Sequence, residues 1–155
     1  LGELSHYRRA LHSRQITFRD FLKKENLMLA CDELTQFAHW ITPELMPKRF
    51  NTQFFIARAP DQAARHDGNE SVDSLWLSPK EALHGNSSGK YTIIFPTRVN
   101  IERLGENDSA EEAIAASLKA DIKVVLPWLE KRDDGTFVVI DENAGYKTSS
   151  EKIPS

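Results

Sequence analysis

An α/β (α+β) chain, a mixed sheet with flanking helices, is predicted by three observations. Residues 49–57, "RFNTQFFIA", alternate polar and apolar side chains with the two-residue period of a strand. Ser78-Pro79-Lys80-Glu81 and Ser109-Ala110-Glu111-Glu112 each place a capping serine three residues ahead of a glutamate, the signature of a helix start. Two β-branched runs near the C-terminus, "IKVVLPWL" and "FVVID", are separated by the turn sequence "KRDDGT".

The remaining elements follow in chain order. Leu4, Tyr7, Arg8 and Leu11 recur at helical spacing, which predicts a helix over 2–13. Thr17 caps a second helix, "FRDFLKKENL", with Phe18, Phe21 and Leu22 as an apolar core or interface stripe. Leu34 leads into a strand through Trp40. "DSLWL" at 73–77 reads as a strand with Trp76 in the core, and the capping box behind it starts a short helix through Leu83. "KYTIIFP" is a strand or an extended segment and runs into a helix carrying Ile101 and Leu104, which Gly105 ends. The second capping box opens an Ala-rich helix to about Lys119. Residues 1–146 are expected to form a single domain, and 147–155 a frayed polar tail. "DQAARHDGNESV" is expected to be a long loop between strands.

Composition narrows the function classes. With 155 residues, 40% of them hydrophobic and 28% charged, the chain suits one soluble domain. A net charge of -3 and the lack of a Lys/Arg block give no case for nucleic acid. No apolar run approaches the length of a membrane span. The single cysteine, Cys31, points to a reducing compartment, and a cytoplasmic location is expected. Cys31 is followed by Asp32 and Glu33 and reads as a bystander thiol. The five histidines show no zinc spacing, "GNSSGK" is too short between its glycines for a phosphate loop, and no G-x-S-x-G elbow occurs.

One stretch resists dismissal. On the 49–57 strand, Phe50, Thr52, Phe54 and Ile56 fall on one face, expected to pack inward, and Arg49, Asn51, Gln53 and Phe55 on the other. The second set is either a solvated face or, through the bidentate geometry of the Arg49 guanidinium, a phosphate ligand.

"FAHWITPELMPKRFNTQFFIARAP", "DGNESVDSLWLSPKEAL" and "IIFPTRVNIERL" resemble, in register and in order, the portion of Nudix hydrolases that follows their metal-binding motif. The branch resembled is that of the peroxisomal CoA diphosphatases and their bacterial relatives, and residues 1–30 are similar to its helical insertion. The resemblance implies a Nudix-like mixed sheet, incomplete at its N-terminal side. It also implies hydrolysis of a nucleoside diphosphate linked to another moiety, of which CoA or acyl-CoA is one, with Mg2+ or Mn2+ as cofactor. It places Arg49, Phe50 and Thr52 beside the substrate cleft and gives Glu70 a role as metal ligand or catalytic base. Pro96-Thr97 borders the pocket or simply starts a helix.

Two departures accompany the resemblance. The Nudix box itself is absent: Gly105 and Glu111 have its first spacing, but Lys119-Ala120 stands where Arg-Glu belongs. Asn51 occupies a position where the branch usually has Asp. The chain alone is therefore expected to be inactive, the alternative being a non-catalytic ligand-binding or protein-interaction module of the same fold. An incomplete sheet exposes edges and apolar surface, so self-association, as a homodimer for example, is expected.

Overall fold

The computed structural model describes residues 2–61 and 73–153, with side chains from His6 onward. It divides into two compact units, Leu1–Asp32 and Glu33–Ser155.

The first unit holds helices α1 (Gly2–His12) and α2 (Phe18–Lys24). Thr17 caps α2 as expected, its hydroxyl oxygen accepting the Asp20 N–H at 3.1 Å. The helix stops earlier than the sequence suggests. Asn26 takes a left-handed φ of 53°, and the Leu27 N–H returns to the Leu22 carbonyl at 2.8 Å, closing the last turn as a Schellman motif. Tyr7 is buried with its ring 4.8 Å from that of Phe21, and its hydroxyl donates to Glu25. That bond to a carboxylate, and then burial, raise the Tyr7 hydroxyl above its ordinary pKa. Phe18 stays half exposed, so the predicted stripe is only partly covered.

The second unit is α+β. A three-stranded sheet has the order β2–β1–β3, where β1 is Thr35–Ile41, β2 Asn51–Ile56 and β3 Val124–Val125. β2 runs antiparallel to β1 and β3 parallel to it, so the sheet is mixed. Between β1 and β3 the chain forms helices α3 (Pro79–Ser87), α4 (Phe95–Leu104) and α5 (Ala110–Lys119). The second sheet is antiparallel, β4 (Trp128–Arg132), β5 (Gly135–Val139) and β6 (Ser150–Lys152).

The central strand carries the core. Between Gln36 and Ala38 the register shifts, leaving Phe37 as an extra residue, and this bulge resets the alternation. Consecutive Phe37 and Ala38 are consequently both buried, together with Trp40. These three pack with Phe95 and Val99 of α4, Val125 of β3 and Ile140, which follows β5.

Both capping serines accept the expected backbone N–H, but only the first box is reciprocal. The Ser78 oxygen accepts from the Glu81 N–H, and the Glu81 carboxylate accepts from the Ser78 N–H at 2.8 Å. The Ser78 hydroxyl, then the Ser78 N–H, hold the Glu81 pKa below its ordinary value. At the second, the Glu112 carboxylate turns instead to the Asp108 N–H. Ser78→Ala is expected to cost about 1 kcal/mol, seen as a lower urea midpoint. Because the Glu81 pKa is depressed, the Glu81 part of the box is present above the unfolded carboxylate pKa. It fades as pH falls through the folded value.

Three expectations are corrected. "DSLWL" forms no strand: no described segment pairs with 73–77, and Trp76 is 74% exposed rather than in the core. A strand needs a hydrogen-bonding neighbour, which local alternation does not supply. The tail is not frayed throughout, since Ser150–Lys152 pairs with β5 and Arg98 ties Glu151 to α4. α3 runs past Leu83 to Ser87. Gly105 ends α4 as expected, with φ -72°; a Cβ there would lie 3.0 Å from the Pro79 side chain, so close approach favours glycine. The 61–72 loop assignment falls almost wholly outside the described residues.

Candidate functional site

The segment linking β1 to β2 is fastened at its neck by one threonine. The Thr42 N–H donates to the Phe50 carbonyl at 3.0 Å, and the Phe50 N–H donates to the Thr42 hydroxyl oxygen at 3.0 Å. The Arg49 Nε donates to the Thr42 carbonyl, also at 3.0 Å. Thr42 thus fixes both the backbone at Phe50 and the root of the Arg49 side chain.

Arg49 and Phe50 precede β2 rather than belonging to it, and the regular ladder begins at Asn51 opposite Ile41. Of the face expected to pack inward, Phe54 and Ile56 do reach the core, whereas Phe50 and Thr52 are exposed. β2 is an edge strand among the described residues, so its first side chains are covered on one side only. Phe50 is 54% exposed, with the Lys48 ammonium 5.0 Å from its ring centroid.

Asn51 does not partner Arg49. Its side-chain oxygen lies 2.5 Å from Nε2 of His39, one strand over. His39, diagonal to Asn51 and directly opposite Gln53, joins the polar face that the sequence analysis drew from β2 alone. Its polar side chain between Ala38 and Trp40 on a predicted strand is the sequence signal that could have marked it. The structure therefore leaves Arg49, Phe50 and Thr52 exposed at one end of β2, and places His39 against Asn51. Glu70 lies outside the described residues. Thr97 sits exposed in the first turn of α4, where Pro96 is a helix-start proline.

A separate polar network lies inside the second unit. The Trp40 indole N–H donates to the Tyr146 hydroxyl at 2.9 Å, which donates to the Asn100 side-chain oxygen at 2.8 Å. Burial pushes the Tyr146 hydroxyl above its ordinary pKa of 10.0, while the Trp40 N–H and Arg103 pull it partly back. A cavity of about 350 Å3 opens nearby, lined by Phe37, Arg103, Ser117 and Gly145 among others. Neither Arg49, Phe50 nor Thr52 lines it.

Among the described residues no group of three or more His, Cys, Asp or Glu side chains is placed to hold a metal ion. No described helix is long and apolar enough to cross a membrane.

The fold and this exposed site define an α+β domain with a polar, basic strand entrance. A Caenorhabditis elegans protein named "Putative nudix hydrolase 7" is 29% identical to the chain over 79 residues. That match covers 50% of the chain and 27% of the nematode protein, so the chain spans about a quarter of that relative. No protein-family model and no solved structure matches the chain.

Proposed function

We propose that the chain is a Nudix-type portion of a hydrolase acting on a nucleoside diphosphate linked to another moiety, with CoA-type compounds as the substrate class. The observation that carries this reading is the 79-residue similarity to a protein named as a nudix hydrolase. In this reading Arg49 is the phosphate contact. Its Nε is committed to Thr42, and its two terminal nitrogens make no hydrogen bond among the described residues. Anchored at its root and exposed at its tip, a guanidinium matches two phosphate oxygens in one plane. Phe50 and Thr52 border the same end of β2.

The described residues offer no donor set for Mg2+ or Mn2+, so what they contribute is binding and positioning. Activation of water belongs to groups outside them, with Glu70 as the candidate within this sequence. The alternative of a non-catalytic module rests on one observation, the absence of a Nudix box from the sequence.

Two measurements separate these readings. The purified 155-residue chain is expected to show no Mg2+-dependent hydrolysis of CoA or ADP-ribose above a protein-free control. Protein made from the complete coding sequence is expected to hydrolyse one of them, and Arg49→Ala to raise its KM by roughly tenfold or more, the loss of one charge-assisted bidentate contact. Turnover by the short chain alone would refute the assignment of water activation to groups outside it. An inert complete protein that still binds CoA would establish the module.

A further inference from the structure

We propose that the cavity beside α4 and α5 is a binding site for a small organic carboxylate, with Arg103 as its counter-ion. The cavity, about 350 Å3, falls within the range of small-ligand sites. Phe37, Ala113 and Ala116 give it apolar walls.

Arg103, which also hydrogen-bonds the Tyr146 hydroxyl, is its cation. The guanidinium carbon lies 5.2 Å from the Phe37 ring centroid and 5.5 Å from that of Tyr146. No carboxylate forms an ion pair with it among the described residues, whereas Arg98 on the same helix has both Glu102 and Glu151. A half-buried cation resting on aromatic rings recovers only part of its hydration, and its in-plane N–H groups still favour an acidic acceptor.

The other polar groups of the cavity are already engaged. Glu106 is paired with Lys147 at 3.2 Å. The Asn107 amide nitrogen donates to the Arg103 and Leu104 carbonyls, and the Ser117 hydroxyl to the Ala113 carbonyl at 2.7 Å. Gly145, exposed and left-handed at φ 82°, has open space where a Cβ would stand, and so leaves that wall of the cavity clear. With the Glu106 carboxylate in the same lining, the single Arg103 cation favours a monoanion, its short apolar body against Phe37, Ala113 and Ala116, over the more highly charged inorganic phosphate. This site is distinct from the Arg49 end of β2, and neither reading depends on the other.

The test is titration of the 155-residue chain with hexanoate, hexanamide and inorganic phosphate, followed by 1H–15N correlation spectra. Hexanoate is expected to give saturable shifts at the amides of Phe37, Ala116 and Gly145, with neither hexanamide nor phosphate doing so. Arg103→Gln is expected to weaken hexanoate by roughly tenfold or more. Should that variant lose its dispersed spectrum, Ala116→Leu, at an exposed lining position, is expected to block the same shifts by filling the cavity. Absence of saturation by hexanoate, equal binding of hexanamide, preference for phosphate, or unchanged affinity in the folded variants would each overturn the proposal.

Discussion

Trp40→Ala is expected to lower the stability of the chain by about 3–5 kcal/mol, a large share of the roughly 5–15 kcal/mol that holds a domain folded. Trp40 is 4% exposed on the central strand β1 and stands edge-on to Phe95 and Tyr146, with ring centroids 6.2 and 5.3 Å away. Its removal empties the place where α4, β1 and the chain after β5 meet. The surrounding residues cannot collapse into the space, because β1 is pinned by pairing on both sides. Chemical denaturation followed by circular dichroism gives the value directly. Trp40→Phe, which keeps most of the volume but loses the indole N–H, is expected to cost less. A loss below about 1 kcal/mol for the alanine variant would show that Trp40 is not the centre of the core.

Tyr146→Phe is the second large effect, about 2–4 kcal/mol for the loss of one oxygen atom. That oxygen accepts from Trp40 and donates to Asn100, so both partners are left buried and unsatisfied. Asn100 is 7% exposed, and its side-chain nitrogen already has no partner among the described residues. Because Trp40 and Tyr146 share a bond, the double variant Trp40→Phe/Tyr146→Phe is expected to cost less than the sum of the two. The pH dependence has a definite sign. Burial raises the Tyr146 pKa above 10.0, so its contribution is complete below that pH and disappears as pH rises through the folded value. Alkaline titration should therefore destabilise the wild type more than Tyr146→Phe. Identical alkaline profiles would sink the assignment.

Local signals were the ones legible without coordinates. Thr17, Ser78 and Ser109 start helices where their side chains predict, since a cap is settled within four residues of chain. The two-residue turn at Asp133-Asp134, flanked by the Arg132–Gly135 pair, was equally readable. Misplaced elements were those defined by a distant partner. "DSLWL" has the composition of a strand and no pairing partner among the described residues, whereas "SEK" at 150–152 has the composition of a tail and pairs with β5. At the candidate site, Arg49, Phe50 and Thr52 could be named from sequence because they lie close together along it. His39, which meets Asn51 only across the strand pair, was not. Arg103 was invisible for the same reason: nothing in "VNIERLG" records that Phe37 and Tyr146 lie against it.

Local pattern along the chain was enough for the α+β class, the helix starts and the polar entrance to β2. Folding added the tie of Arg49 to Thr42 rather than Asn51, the pairing of β6 with β5, and the cavity beside the Arg103 guanidinium. Propensity, capping and periodicity act over a few residues and are written in order along the chain. Strand partners, buried hydrogen bonds and charge pairing join residues as far apart as Trp40 and Tyr146, and they exist only once the chain has folded.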